Sequence, residues 1–171
     1  FARVHGVIIR HYHADNHIFD SKAFVLEVYK CKQSITYCGV NAHHQNGTAE
    51  KKIRDLQELA RTMLLHARQR WPSAITTHLW PYALRMANDV SNSTPRLTHN
   101  DHVSPIELFS QVEVRPQVKH NHTFGSPAYV LDAPLQAGQS TPKWEYKSRI
   151  GIYLGASPRH SRKVALILNL Q

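Results

Sequence analysis

The sequence predicts an α/β fold followed by a small all-β module. A β-branched apolar run at residues 7–9 is followed by residues with helical spacing and then by a second strand-like run. A long amphipathic stretch begins near Ala49 and ends before Pro72. Beyond residue 124, short apolar runs alternate with glycines and prolines, which is typical of short strands joined by turns.

The first elements follow a strand–helix–strand pattern. Residues 7–14 are predicted to form a strand, with Asp15 at its carboxyl end. Lys22–Lys30 carry apolar side chains at helical spacing, which indicates a helix. Ile35–Cys38 is rich in β-branched and aromatic residues, which favours a second strand.

Two longer helices come next. Asn46-Gly47 is a turn signal, and Thr48 is the predicted N-cap of a helix that begins at Ala49 and ends near Trp71. A second helix is predicted to begin near His78–Trp80, with proline in its first turn. Apolar residues recur at helical spacing in both: Ile53, Leu56, Ala60, Met63, Leu64 and Ala67, then Ala83, Leu84, Ala87 and Val90.

The remaining chain is divided by composition. Ser91–His102 is predicted to be a loop, and residues 105–110 a short helix. The predicted domains are an α/β part at 1–110, a polar linker at 111–123 and a β module at 124–171. The predicted strands of the module are Ala128–Leu131, Ile150–Leu154 and Val164–Leu168. The tryptophans of the chain, Trp71, Trp80 and Trp144, are predicted to be core anchors rather than base-stacking platforms.

The charge of the chain favours an anionic partner. Its 171 residues have a formal net charge of +9 and a pI near 9.8, and nucleic acid is the commonest partner of such proteins. The alternative is a protein that is cationic only for solubility. The apolar content of 42% is enough for a packed core.

The chain has few features of a secreted or membrane protein. Cys31 and Cys38 are its two cysteines, and their spacing fits neither a disulfide framework nor a common zinc motif, so an intracellular setting is expected. There is no apolar run long enough to cross a membrane and no signal peptide pattern. The opening at Phe1 suggests a fragment, or a piece of a longer polyprotein.

Two carboxylates are candidate metal ligands. Asp15 ends a predicted strand and Glu50 begins a predicted helix, and such positions often meet at one edge of a sheet. Carboxylates that meet there repel each other unless a cation such as Mg²⁺ lies between them. Lys51, Lys52 and Arg54 would then be available for phosphates. The alternative is that Glu50 is an ordinary acidic residue of a helix N-terminus and Asp15 a turn residue.

Four long stretches resemble one family. "HYHADNHIF", "ITYCGVNAHHQNGTAEKKIRDLQELARTML" and "WPYALRMANDVSNSTP" resemble the integrase core of copia-type long-terminal-repeat retrotransposons. "KWEYKSRIGIYLGASPRHSRKVALILNL" resembles the small SH3-like β module that follows that core. The similar stretches cover nearly the whole chain, in the order of the family.

The resemblance implies a ribonuclease H-like core, truncated at its N-terminus, with an Asp-Asp-Glu set that binds two Mg²⁺ or Mn²⁺ ions. Asp15 matches the second Asp of that set, and Glu50 matches its Glu. The first Asp and a zinc-binding His/Cys module would lie upstream of Phe1. His17 stands where the family usually has glycine, and an imidazole there would crowd the metal pocket.

The implied reaction is DNA integration in the nucleus. Water cleaves near the 3′ end of the element's DNA, and the new 3′ hydroxyl attacks a phosphodiester of the target DNA, with two metal ions assisting. The family acts as a homo-oligomer on DNA, and these 171 residues alone are predicted to be inactive because one carboxylate is missing. The predicted DNA-binding residues are Lys51, Lys52, Arg54, Arg61, Arg159, Arg162 and Lys163, with Arg68 and His160 as further candidates.

Two alternatives differ from an active integrase. One is a remnant of a decayed element that binds nucleic acid or protein without catalysis. The other is a zinc-dependent hydrolase, since histidines cluster near the predicted strands. The candidate zinc ligands are His11, His13, His17, His43 and His44, of which the first two would share one strand face.

Overall fold

The computed structural model describes residues 2–15, 18–39, 46–98, 101–111, 122–161 and 163–170. Helices and small sheets alternate along this part of the chain, so the predicted α/β class is confirmed. The chain forms two compact units: Phe1–Asp55 with Pro95–Val114, and Leu56–Thr94 with Arg115–Gln171.

The finer assignments are not tested by this architecture. The ribonuclease H-like core, the SH3-like module and the boundaries 1–110 and 124–171 remain predictions. Of the predicted linker at 111–123, residues 112–121 lie outside the described residues.

The first unit contains a parallel strand–helix–strand arrangement, as the sequence predicts. β1 (His11–Ala14) pairs in parallel with β2 (Ser34–Tyr37), and α1 (Lys22–Lys30) connects them. Parallel strands require such a crossover, because the chain must return to the edge at which the first strand began. β1 begins later than predicted, and Ile8 just before it is 80% exposed. Val7 and Ile9 are half-buried, but β2 begins only at Ser34, opposite His11, so the β-branched run precedes the paired residues.

Serine caps begin two helices of the first unit. Ser21 accepts a hydrogen bond from the Phe24 N–H (3.3 Å) at the start of α1. The predicted helix at 105–110 is confirmed as α4 (Pro105–Ser110; α2 and α3 follow below). Ser104 Oγ accepts from the Glu107 N–H at 3.4 Å, while the Ser104 N–H donates to the Glu107 carboxylate at 2.7 Å. This reciprocal capping box stabilises a helix that is too short to be stable alone.

The predicted loop at Ser91–His102 is wrong in part. A helix continues to Ser93, and β3 (Arg96–Thr98) then pairs in antiparallel fashion with β4 (Asp101–Val103). These strands have three residues each, and Leu97 is 70% exposed. Short strands with exposed side chains show no alternation of apolar and polar residues, so no periodic signal predicts this strand pair.

The two long helices are confirmed with changed boundaries. α2 (Gly47–Arg70) runs from the first unit into the second, and α3 (Trp80–Ser93) belongs to the second. Thr48 is not the N-cap, because the helix already includes Gly47. Asn46-Gly47 misled the prediction, since glycine adopts helical backbone angles as readily as turn angles.

The second unit is built around one sheet. β5 (Pro127–Leu131), β6 (Ser148–Ala156) and β7 (Ala165–Asn169) pair in antiparallel fashion, with β6 in the centre. The three predicted strands are therefore confirmed with changed boundaries; Val164, for example, precedes β7. A short helix, α5 (Ala133–Gln136), lies in the connection between β5 and β6.

The core of the second unit joins its helices to its sheet. Small residues of α2 and α3 lie against large residues of the sheet and of the segment before it, which allows close approach of helix and strand. Burial and the Asp89 carboxylate raise the pKa of Tyr153 in this core. The buried cluster comprises Ala60, Ala67, Ile75, Ala83, Met86, Ala87, Phe124, Ile152, Tyr153 and Leu154.

At Gly125 the segment that leads into the sheet lies close against α2. Its φ is +81°, and a Cβ built on it would overlap the Cβ of Ala67. The Trp71 indole N–H donates to the Gly125 carbonyl at 2.8 Å, and the Gly125 N–H donates to the Tyr153 carbonyl at 2.9 Å. These bonds join the end of α2, the glycine and β6.

The prediction that the tryptophans are core anchors is right for one of the three. Trp71 is half-buried and packs against the buried cluster. Trp80 is 57% exposed and Trp144 is 90% exposed, so the prediction is wrong for both. Tryptophan is highly buried on average, but residue type does not report the position of a particular side chain.

Candidate metal and nucleic-acid site

Asp15 directly follows β1, as predicted. The Cys38 N–H donates to the Ala14 carbonyl at 3.0 Å, so the pairing of β1 with the chain of β2 extends to the residue before Asp15. Ala14 is buried and Asp15 is half-buried. The parallel sheet thus fixes the backbone from which this carboxylate extends.

Glu50 lies in the first turn of α2 and is exposed. Unpaired N–H groups at a helix N-terminus favour a negative charge, so this position suits an ionised carboxylate. Asp15 and Glu50 belong to the same compact unit. Their convergence on a metal ion remains a prediction.

No group of three or more His, Cys, Asp or Glu side chains suited to a metal ion occurs among the residues that the structure describes. Of the Asp-Asp-Glu set that the resemblance implies, the two residues matched here are Asp15 and Glu50. Two carboxylates are fewer than the three side chains that such a group requires. The chemistry of the donors nevertheless fits Mg²⁺, which prefers carboxylate oxygens and commonly takes one or two of them.

Most of the predicted DNA-binding side chains are exposed. On α2, Lys51 and Arg54 are exposed in the first unit, while Lys52 is half-buried. Arg61 and Arg68 are exposed on the part of α2 that belongs to the second unit. Exposed cationic side chains are the groups that contact phosphates.

A second basic segment forms the turn between β6 and β7. Arg159 and Lys163 are exposed there, and Arg162 lies outside the described residues. The Ser157 N–H donates to the Val164 carbonyl at 2.8 Å and closes the turn. His160, the other residue predicted as a candidate for DNA binding, forms a 2.8 Å hydrogen bond through Nδ1 with the Ser157 hydroxyl. The same hydroxyl accepts from the Arg159 N–H at 3.4 Å.

The histidines of β1 take part in hydrogen bonds with β2. His11 and His13 share one strand face, as predicted, because Thr36 Oγ1 lies 3.0 Å from a ring nitrogen of each. The other ring nitrogens lie 2.7 Å from the Ser34 hydroxyl and 3.6 Å from the Cys38 sulfur. With one tautomer of each ring, these groups form a continuous row of hydrogen bonds in which each group donates once. The donors and acceptors, in order, are Cys38 to His13, His13 to Thr36, Thr36 to His11, His11 to Ser34, and Ser34 to the Arg10 carbonyl.

This hydrogen-bonded row accounts for two of the five candidate zinc ligands without a metal. His17, His43 and His44 lie outside the described residues. The zinc alternative stays a prediction for all five histidines.

Two sets of residues with binding chemistry were not predicted. One lines an open cavity of about 470 Å³ between the end of α2 and the segment before β5, and it includes His66, Gln69, Arg70, Thr123 and Ser126. The other is the exposed segment Lys143–Lys147, which alternates lysine, aromatic and acidic residues. Because the segment contains no aliphatic residue, its sequence indicates that Trp144 and Tyr146 do not belong to a core.

Comparison with known proteins does not assign the chain to a family. No protein-family model and no curated protein matches it. In the described part of the chain, no helix combines the length and the apolar character needed to cross a bilayer. The family suggested by the sequence resemblance is therefore a proposal.

Proposed function

We propose that the chain is part of the integrase of a copia-type retrotransposon and takes part in metal-dependent processing and joining of DNA. The observation that carries the proposal is the first turn of α2, where the exposed Glu50 is followed by the exposed Lys51 and Arg54. Asp15, at the end of a parallel strand of the same unit, supplies a second carboxylate. The sequence resemblance and the order of the elements give further support.

The proposed roles follow from the charge of each side chain. Asp15 and Glu50 would hold Mg²⁺, which when bound stabilises negative charge on the attacking and leaving oxygens. Lys51 and Arg54 would bind phosphates of the DNA backbone, which positions the DNA without selecting a sequence. The N-terminus of α2 adds partial positive charge beside the same phosphates.

Reversing two charges tests the DNA contact. In Lys51→Glu/Arg54→Glu we expect affinity for duplex DNA to fall by about 10- to 100-fold near about 0.1 M salt, since each phosphate contact contributes about 0.9 to the slope of log affinity against log salt. The slope should become shallower by about 1.8 for the two lost contacts. Fluorescence anisotropy with a labelled duplex at several salt concentrations measures both quantities.

The control is Lys22→Glu/Lys32→Glu, which makes the same change in net charge at two exposed positions of the first unit. It should lower affinity much less and leave the salt slope nearly unchanged. Equal losses in the two variants would mean that only the total charge of the chain matters, and the proposed contact would be wrong.

Metal binding separates an integrase from a non-catalytic remnant that only binds nucleic acid. Because Mn²⁺ bound to the folded chain stabilises it, the midpoint of thermal unfolding should rise with Mn²⁺ concentration. Asp15→Asn and Glu50→Gln should each remove most of this rise, and Asp132→Asn in the second unit should not. If the rise is absent, or is the same in all variants, the remnant is favoured, provided that the Lys51/Arg54 effect on DNA is present.

A further inference from the structure

The segment Lys143–Lys147 exposes two large aromatic rings. Trp144 is 90% exposed and Tyr146 is 93% exposed, although both lie in the connection between two paired strands of the second unit. Side chains of this size usually contribute to a core or to an interface. These two rings bury almost no area, so packing within this unit does not explain them.

The rings are flanked by cationic groups. Lys143 Nζ lies 5.1 Å from the centroid of the Trp144 ring, and Lys147 is exposed on the other side of the segment. Glu145 is the single acidic residue among the five. The Asp132 N–H donates to the Lys147 carbonyl at 3.1 Å, so the end of the segment is joined to the end of β5.

Strand β5, which precedes the segment along the chain, carries another exposed aromatic ring. Tyr129 is 73% exposed and pairs across β5 and β6 with Ile150, which is 45% exposed. Residues directly opposite each other in antiparallel strands have side chains on the same face. The chain thus presents flat apolar groups and cations together, which is the combination that binds unpaired bases and their phosphates.

We propose that Lys143–Lys147 binds single-stranded nucleic acid, with Trp144 and Tyr146 stacked on unpaired bases and Lys143 and Lys147 in contact with phosphates. A duplex is a poor ligand for such a surface, because its bases already stack on each other. This site is separate from the metal-dependent DNA joining proposed above, and it uses neither Asp15 nor Glu50.

Tryptophan fluorescence tests the stacking. The full chain is titrated with oligothymidylate of about 12 nucleotides in EDTA, and binding should quench the emission of Trp144. The affinity of variants without this indole is measured by fluorescence anisotropy of the labelled oligonucleotide: Trp144→Ala should weaken binding by about 10- to 100-fold, and Trp144→Phe should lose less because it keeps a ring. Trp80→Ala removes another exposed tryptophan and should leave both affinity and quenching unchanged. Circular dichroism confirms that each variant is folded.

Oligouridylate and a duplex of equal length complete the test. Quenching by either single strand supports the proposal. Absence of binding to both strands, equal quenching by the duplex, or unchanged affinity in Trp144→Ala would overturn it. Lys51→Glu/Arg54→Glu should still show the quenching, so failure of the integrase proposal and failure of this one give different results.

Discussion

Replacing Gly125 by alanine is expected to lower the free energy of unfolding of the second unit by about 3 kcal/mol. A left-handed backbone costs a non-glycine residue about 1–2 kcal/mol, and forcing an extra carbon into a packed site costs about 1–3 kcal/mol. Both apply here, because φ is +81° and the new Cβ would overlap the Cβ of Ala67 and lie 3.0 Å from its Cα. The Ala67 atoms belong to a helix, so they cannot move aside as the end of a long side chain could.

Substitutions at Gly138 and Gly151 measure the two costs separately: the cost of a positive φ and the cost of steric overlap. Gly138 has φ +80° and no heavy atom within 4 Å of a built Cβ, so Gly138→Ala should cost about 1 kcal/mol through backbone strain alone. At Gly151 a Cβ would overlap Ile167 Cγ2 and lie 2.9 Å from the Leu168 carbonyl oxygen, without a positive φ. Gly151→Ala should therefore report the steric cost, about 1–3 kcal/mol.

Urea denaturation followed by circular dichroism measures all three variants. The expected order of destabilisation is Gly125 first, then Gly151, then Gly138. If Gly125→Ala were no worse than Gly138→Ala, the close approach of α2 to this segment would be wrong, and the helix would have to lie farther from Gly125.

Local patterns were enough to predict most of the helices and strands. The spacing of apolar residues identified α1 and α3, and Ser104-Pro105 identified the short α4 through its capping chemistry. The strands β5, β6 and β7 were found from β-branched runs between glycines and prolines. These signals act over a few residues, so a single sequence contains them.

Features set by tertiary contacts were not predictable in this way. Ile53 fits the apolar spacing of α2 but is 56% exposed, whereas Ala60 on the same helix is buried. Trp144 is predicted to lie in the core but is exposed. Residue type indicates the average burial of a side chain, but not which residues surround it in the folded chain. The role of Gly125 depends on Ala67, which is distant in sequence, and no local pattern indicates that contact.

The candidate site was predictable in its residues and less so in its geometry. Asp15 at a strand end and Glu50 in a first helical turn followed from local signals, and the structure has both in those positions. A metal site depends on where the two carboxylates lie in space, which strand and helix signals do not determine. The hypothesis that Asp15 and Glu50 lie close enough to hold a metal ion comes from the resemblance to integrases. The Mn²⁺ experiment tests it on this chain.

Replacing Phe124 by alanine should lower the free energy of unfolding by about 3–5 kcal/mol, the usual cost of deleting a buried phenylalanine. Phe124 is 2% exposed and belongs to the cluster that joins α2 and α3 to β6. Tyr129→Ala, which removes a 73% exposed ring from the neighbouring strand, is the control and should cost less than about 1 kcal/mol.

The Phe124→Ala variant also tests whether the helices and the sheet of the second unit unfold together. Because Phe124 contributes to one core with both, its loss should lower by the same amount the urea midpoints of the helical circular dichroism signal and of the Trp71 fluorescence. The fluorescence is recorded with Trp80 and Trp144 replaced by phenylalanine, so that Trp71 alone emits. Trp71 reports the sheet side, since its indole donates to Gly125 beside Phe124. If the fluorescence transition moved to lower urea while the helical transition stayed in place, the sheet and its leading segment would be an independent module. The shared core would then contribute little to stability.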